Sequence, residues 1–153
     1  RKRNLNAKSD IYDEVLVIDV KNKSIRNLPN LPEQLAAGTA VNYNGNLIVI
    51  GGDNGETFHK VEQYIADINT TDDEAIKNKL IAEKNSLQSS HPGFSKKVWI
   101  LSEGSKEWKA LNDLNYESPV TTTALLMNNK IILPSGEIKA GVRTNQILTG
   151  EIK

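Results

Sequence analysis

The chain has 153 residues, enough for a domain with a real core, and its 19 basic and 19 acidic residues cancel, so no broad electrostatic field draws in nucleic acid or an anionic membrane surface. The opening Arg1-Lys2-Arg3 is too short to change that balance. Cysteine is absent, which excludes disulfides, thiol nucleophiles and thiolate metal sites together; no apolar run approaches the roughly 18 residues of a membrane span, and no leader pattern is visible at the start.

In chain order, Val15-Leu16-Val17-Ile18 reads as a short strand, followed by a polar turn and a second strand around Ile25 to Leu28. After a loop marked by Pro29 and Pro32, Thr39-Ala40-Val41 and Leu47-Ile48-Val49-Ile50 flank Asn44-Gly45. Asn-Gly supplies the two positive φ angles of a type I′ turn, so this is a hairpin, closed by Gly51-Gly52. Over 56–90 the pattern changes to a helical period: Phe58, Val61, Ile65 and Ile68 at steps of three and four, then Ile76, Leu80 and Leu87. Thr71-Asp72-Asp73-Glu74 has capping-box spacing and predicts a second helix from Thr71. Its acidic cluster suits a helix start, favoured by the helix dipole, rather than a metal site. His91-Pro92-Gly93 ends this two-helix insertion, which spans about 56–92.

The pattern before the insertion then recurs. Val98-Trp99-Ile100-Leu101, followed by Trp108 and Leu111, repeats Val15-Leu16-Val17-Ile18, followed by Ile25 and Leu28, at an offset of 83 residues. One residue later in register, Lys130 to Gly136 repeats Asn46 to Gly52, with Asn128-Asn129 at the turn, and Asn145-Gln146-Ile147-Leu148 begins a third copy. Short strands in this order, with Gly-Gly closing the second, are the pattern of a propeller blade.

Gly51-Gly52, with Trp108 ahead of Leu111 beyond the insertion, resembles the kelch repeat. That resemblance implies an all-β fold: a kelch-type β-propeller fragment of about two to three blades' worth of strands with a two-helix insertion. Kelch order makes 39–43, 47–50, 97–101 and 107–111 the strands of one complete blade, preceded by two outer strands of another and followed by the first two or three of a third. Because the chain opens on Arg1 and Ile147 to Lys153 reads as a strand just begun, residues 1–153 are expected to be a partial propeller, a slice of a longer chain.

Ser135-Gly136-Glu137-Ile138-Lys139-Ala140-Gly141-Val142-Arg143-Thr144 is similar to the G-E-x-K-x-G-x-R-T segment of the N-acetylneuraminate epimerase family, directly after a blade's second strand. Thr57-Phe58-His59-Lys60, His91-Pro92-Gly93-Phe94 and Thr121-Thr122-Thr123-Ala124 resemble the cyclically permuted mutarotase branch, part of which looks like a propeller fused to a sodium:solute symporter. Ala140 departs from the pattern, standing where proline is frequent and leaving the loop less stiff.

The resemblance implies an isomerase, a sialic acid mutarotase interconverting the α and β anomers of N-acetylneuraminate by acid/base ring opening. It implies no cofactor and no metal, and a location in the periplasm of a Gram-negative bacterium or in the extracytoplasmic part of a membrane protein. Glu137 would be the general base. Arg143 would clamp the sugar's carboxylate by two parallel hydrogen bonds, Lys139 would add positive potential, and His59 at the root of the insertion would reach substrate. Expected partners are a small acidic sugar and either a homodimer mate or a fused symporter domain, with no nucleic acid and no membrane contact from this segment.

Plainer readings stand beside these. Glu137 and Arg143 can form an ordinary ion pair, His59 and His91 can be structural, and Trp99 and Trp108 read as blade-packing residues. The competing function is a non-catalytic kelch sugar-binding or interaction domain. A copper oxidase of the galactose-oxidase type needs a cysteine cross-linked to tyrosine, and a sialidase needs S-x-D-x-G-x-T-W boxes; neither feature is in the sequence.

Overall fold

The computed structural model describes residues 8–152, so Arg1-Lys2-Arg3 lies outside the described residues. Leu16–Asp19 (β1) and Ser24–Asn27 (β2) pair antiparallel, and the Asp19 carboxylate closes their turn by accepting from the backbone and side-chain amides of Asn22 at 2.9 and 2.8 Å. Thr39–Tyr43 (β3) turns through Asn44 and Gly45, with φ of 50° and 82°, into Asn46–Ile50 (β4). Two positive φ values are what a type I′ hairpin requires.

The insertion follows as Glu56–Thr70 (α1) and Glu74–Ser89 (α2), within the span read from the sequence. Val98–Leu101 (β5) and Lys109–Ala110 (β6) complete a four-stranded antiparallel sheet in the order β3-β4-β5-β6. Leu125–Met127 (β7), Lys130–Lys139 (β8) and Val142–Glu151 (β9) form a three-stranded sheet in sequence order. The sheets are thus two outer strands of one blade, a complete blade, and three strands of the next: the kelch-type propeller fragment read from the repeats.

Backbone angles repeat along with sequence. Ala37 and Thr121 have φ of 56° and 53°, Asn44 and Asn128 50° and 57°, Gly51 and Ser135 61° and 55°, and Gly52 and Gly136 120° and 121°. Every pair is separated by 84 residues. Four left-handed positions recurring in order mean that the two units share one backbone path, including its strained points.

Val41, Ile48, Ile50 and Val98 of the complete blade pack with Ala124 and Leu133 of the next into a buried cluster. Polar contacts fix the spacing: the Ala124 N–H donates to Thr39 Oγ1 (2.8 Å) and the Thr121 N–H to the Ala37 carbonyl (3.2 Å). On the other side, Trp108 Nε1 donates to the Pro29 carbonyl (2.8 Å) and Trp99 Nε1 to Glu33 Oε1 (2.9 Å). Both indoles therefore bind a blade to its predecessor's exit loop, as their reading as packing residues anticipated.

Two local expectations are corrected. The second helix begins not at Thr71 but at Glu74, after Asp73, whose carboxylate caps it by accepting from the Ala75 and Ile76 amides at 2.8 and 3.1 Å. Asp73 wins because its carboxylate meets two otherwise orphaned helix N–H groups, in the first turn where negative charge is favoured. Residues 135–144, read as a loop after the strand, instead form the far end of the β8–β9 hairpin, closed by a tight turn at Ala140-Gly141. Register shifts between Pro134 and Gly136 and between Glu137 and Lys139 bend this hairpin without ending it.

A candidate functional cleft between the helical insertion and the hairpin

Strands β4 and β8 occupy the same place in their blades, so the connections leaving them emerge on the same face. One connection is the helical insertion and the other the Ala140-Gly141 turn. Between them lies a cleft of about 490 Å³. Its helical wall is Thr57, Phe58, Val61 and Gln88, with His91 and Phe94 from the insertion's exit. Asp53, Val120, Thr121, Glu137 and Ala140 line the opposite side.

Glu137 is held there by its backbone, exchanging hydrogen bonds with Val120 (N–H donated at 3.0 Å, carbonyl accepting at 2.8 Å) in an isolated bridge. Its Oε1 accepts the Gly141 N–H at 2.7 Å, which ties the carboxylate to the Ala140-Gly141 turn. The other carboxylate oxygen has no protein partner among the described residues. A half-buried carboxylate with one oxygen anchored and one free can accept a proton or hydroxyl hydrogen bond from a ligand.

Arg143 is directly opposite Glu137 in the ladder, so the two side chains leave the same face of the hairpin. No ion pair joins them among the described residues, and the Arg143 guanidinium, exposed, has no hydrogen-bond partner there. The plain ion-pair reading is therefore not what this geometry displays. Of the two, Glu137 lines the cleft and Arg143 stands beside it.

Lys139 ends β8 opposite Val142, half-buried and outside the cleft lining. His59 is turned elsewhere: its Nε2 meets the Ser9 carbonyl at 3.0 Å, and its ring lies 5.9 Å from that of Phe58. Beside it, Glu62 accepts from both the Ser9 amide and the Ser9 hydroxyl. Together these contacts strap Ser9 to α1, and His59 is not among the residues lining the cleft.

Besides Glu137, two titratable residues line the cleft, Asp53 and His91, and neither was among the expected site residues. Asp53 is the blade counterpart of Glu137. It sits 84 residues earlier, makes the same kind of bridge, with Ala36 (2.8 and 2.9 Å), and gives one oxygen to a following glycine amide, Gly55 N at 2.8 Å. Carrying the repeat alignment one residue past Gly52 would have found it. His91, read as a structural stop, is 5% exposed and also lines the cleft; its position depends on the chain's return from the insertion, which periodicity does not report. Among the described residues no cluster of three or more His, Cys, Asp or Glu could hold a metal ion, and no helix is long and apolar enough to cross a membrane.

No family model matches the chain. The chain is similar to curated proteins named N-acetylneuraminate epimerase from Salmonella enteritidis and Salmonella typhi, each 26% identical over 147 residues, covering 95% of this chain and 38% of theirs. The protein of that name from Salmonella arizonae is 28% identical over 117 residues, 76% of this chain and 30% of its own. The solved structure titled "Structure of YjhT", a kelch-type propeller, aligns with a TM-score of 0.72 at 20% identity over 97% of this chain and 43% of that one. The resemblance carried by Ser135 to Thr144 is thus borne out along nearly the whole chain. The chain spans about 38% of the length of the first two of these curated relatives.

Proposed function

We propose that the full-length protein carrying this chain is a sialic acid mutarotase, with N-acetylneuraminate bound in the cleft between the insertion and the β8–β9 hairpin. The observation that carries this reading is Glu137: a carboxylate anchored by one oxygen, free at the other, facing a cleft, in a chain similar to proteins named N-acetylneuraminate epimerase.

In this reading the free oxygen of Glu137 takes the proton from the anomeric hydroxyl. The ring C–O bond breaks, its electron pair stays on the ring oxygen, and that oxygen takes a proton from water. The open-chain ketone turns its other face; on closure the hydroxyl formed from the ring oxygen attacks the ketone carbon and gives its proton back to the hydroxide left by that water, while Glu137 returns its own proton to the new anomeric hydroxyl. Arg143 binds the sugar's carboxylate, matching its planar fork to the two oxygens, and Lys139 adds positive potential at the rim. A periplasmic or other extracytoplasmic location, and a homodimer mate or fused symporter domain, belong to the same proposal.

The competing reading is a sugar-binding kelch domain without chemistry. Releasing N-acetylneuraminate with a sialidase and following the anomer ratio by NMR separates the two. A mutarotase brings the ratio to equilibrium faster than buffer does; a binding domain titrates with the sugar and leaves the rate unchanged.

A further inference from the structure

His91 is the one imidazole lining the cleft among the described residues, and its chemistry is fixed by its neighbour. The Gly93 N–H donates to His91 Nδ1 at 3.0 Å. A backbone amide is only ever a donor, so Nδ1 supplies its lone pair and the neutral ring carries its proton on Nε2. Gly93 holds that amide in place at φ 96°, a left-handed conformation that suits glycine. The Phe94 ring packs against it, tilted by 57° with centroids 5.1 Å apart.

Nε2 has no hydrogen-bond partner among the described residues, although His91 is only 5% exposed. Ser118 Oγ alone among the described residues is a fully buried side-chain polar atom without a partner, so His91 Nε2 keeps solvent contact. A buried ring with one nitrogen committed and the other open, in the wall of a cleft, is a hydrogen-bond donor waiting for an acceptor. Asp53 and Glu137 in the same cleft supply acceptors. A polyhydroxylated ligand needs both kinds of partner, since its hydroxyls donate while its ring, carbonyl or carboxylate oxygens accept.

We propose that His91 Nε2–H is a ligand-binding donor of this cleft, contacting an acceptor oxygen of the sugar while Glu137 faces a hydroxyl. The inference rests on the sugar-binding reading of the cleft. It makes His91 a binding group rather than a proton shuttle: a neutral imidazole giving up its Nε2 proton would become an imidazolate, which the surrounding groups do nothing to stabilise.

The test uses the full-length protein with N-acetylneuraminate as the probe. Ring ¹⁵N–¹H correlation spectra should show the His91 proton on Nε2, and adding the sugar should move that signal together with the Thr57 and Thr121 amides. His91→Phe, which keeps an aromatic ring against Phe94 and loses the donor, should weaken binding about tenfold or more, while His91→Gln retains most of it. An Nδ1–H tautomer, or a His91 signal that stays put while Thr57 and Thr121 move, overturns the role of His91 and leaves the cleft standing. If no cleft signal moves, the sugar-binding reading itself falls. Should His91→Phe not fold, the spectra of the unsubstituted protein still decide.

Discussion

At the scale of single residues, the repeat assigns meaning to side chains that composition cannot. Gly51 and Ser135 hold the same left-handed position, at φ 61° and 55°, so the backbone there accepts a side chain in principle. What forbids one at Gly51 is space: a Cβ would lie 2.2 Å from Ser118 Oγ. Gly51→Ala should cost about 2 kcal/mol, measured by urea unfolding. Adding Ser118→Ala should recover much of that loss, because it removes the obstructing oxygen, which has no partner where it is. Equal losses in the single and double variants would place the strain in the backbone instead. Arg143 is exposed and has no partner among the described residues, so Arg143→Ala should leave stability within about 0.5 kcal/mol while, on the proposed function, weakening N-acetylneuraminate binding about 10- to 100-fold, as expected for losing a charge-assisted pair. Calorimetric titration of the full-length protein checks this.

At the scale of elements, the strands and the insertion were legible because each follows a single local rule. Asn44-Gly45 and the alternation around it give the first hairpin, and the change of period at residue 56 gives the helices. The motif segment was harder: Ser135, Gly136 and Gly141 look like loop residues, yet bulges let β8 and β9 run through them. Local chemistry does not distinguish a bent hairpin from a loop when the pairing partner lies just beyond a glycine. The cap of α2 was displaced by two residues for a similar reason, since Thr71, Asp72 and Asp73 are all competent caps and only the turn from α1 selects among them. Asp73→Ala should therefore destabilise the insertion by about 1 kcal/mol, whereas Thr71→Ala should have little effect. Hydrogen exchange at the Ala75 and Ile76 amides would read the difference.

At the scale of the whole molecule, the two terminal sheets of the fragment present apolar side chains to solvent. Ile18 is 65% and Ile25 66% exposed at one end, Met127 59% and Ile147 65% at the other. Kelch blades cover such faces with their neighbours, and Trp99 and Trp108 show how one blade is fastened to the loop of the one before. The 153-residue chain alone should self-associate and bind sugar poorly, which sedimentation velocity and titration can follow; a monodisperse chain with full affinity would contradict this. Of the candidate site, Glu137 and Arg143 were legible as a pair from the motif, while their register across the hairpin was not, because the segment reads as a loop. Asp53 was within reach of the repeat alignment, one residue past Gly52, whereas the place of His91 in the cleft depends on how the insertion returns to the sheet and the contact of His59 with Ser9 on a distant segment. The most direct measurement is exchange spectroscopy on N-acetylneuraminate at anomeric equilibrium, with the full-length protein and its Glu137→Gln variant. The expected result is exchange accelerated by the unsubstituted protein and slowed about 10²- to 10⁴-fold in the variant, with sugar binding preserved. Equal exchange rates for protein, variant and buffer would contradict a mutarotase centred on Glu137.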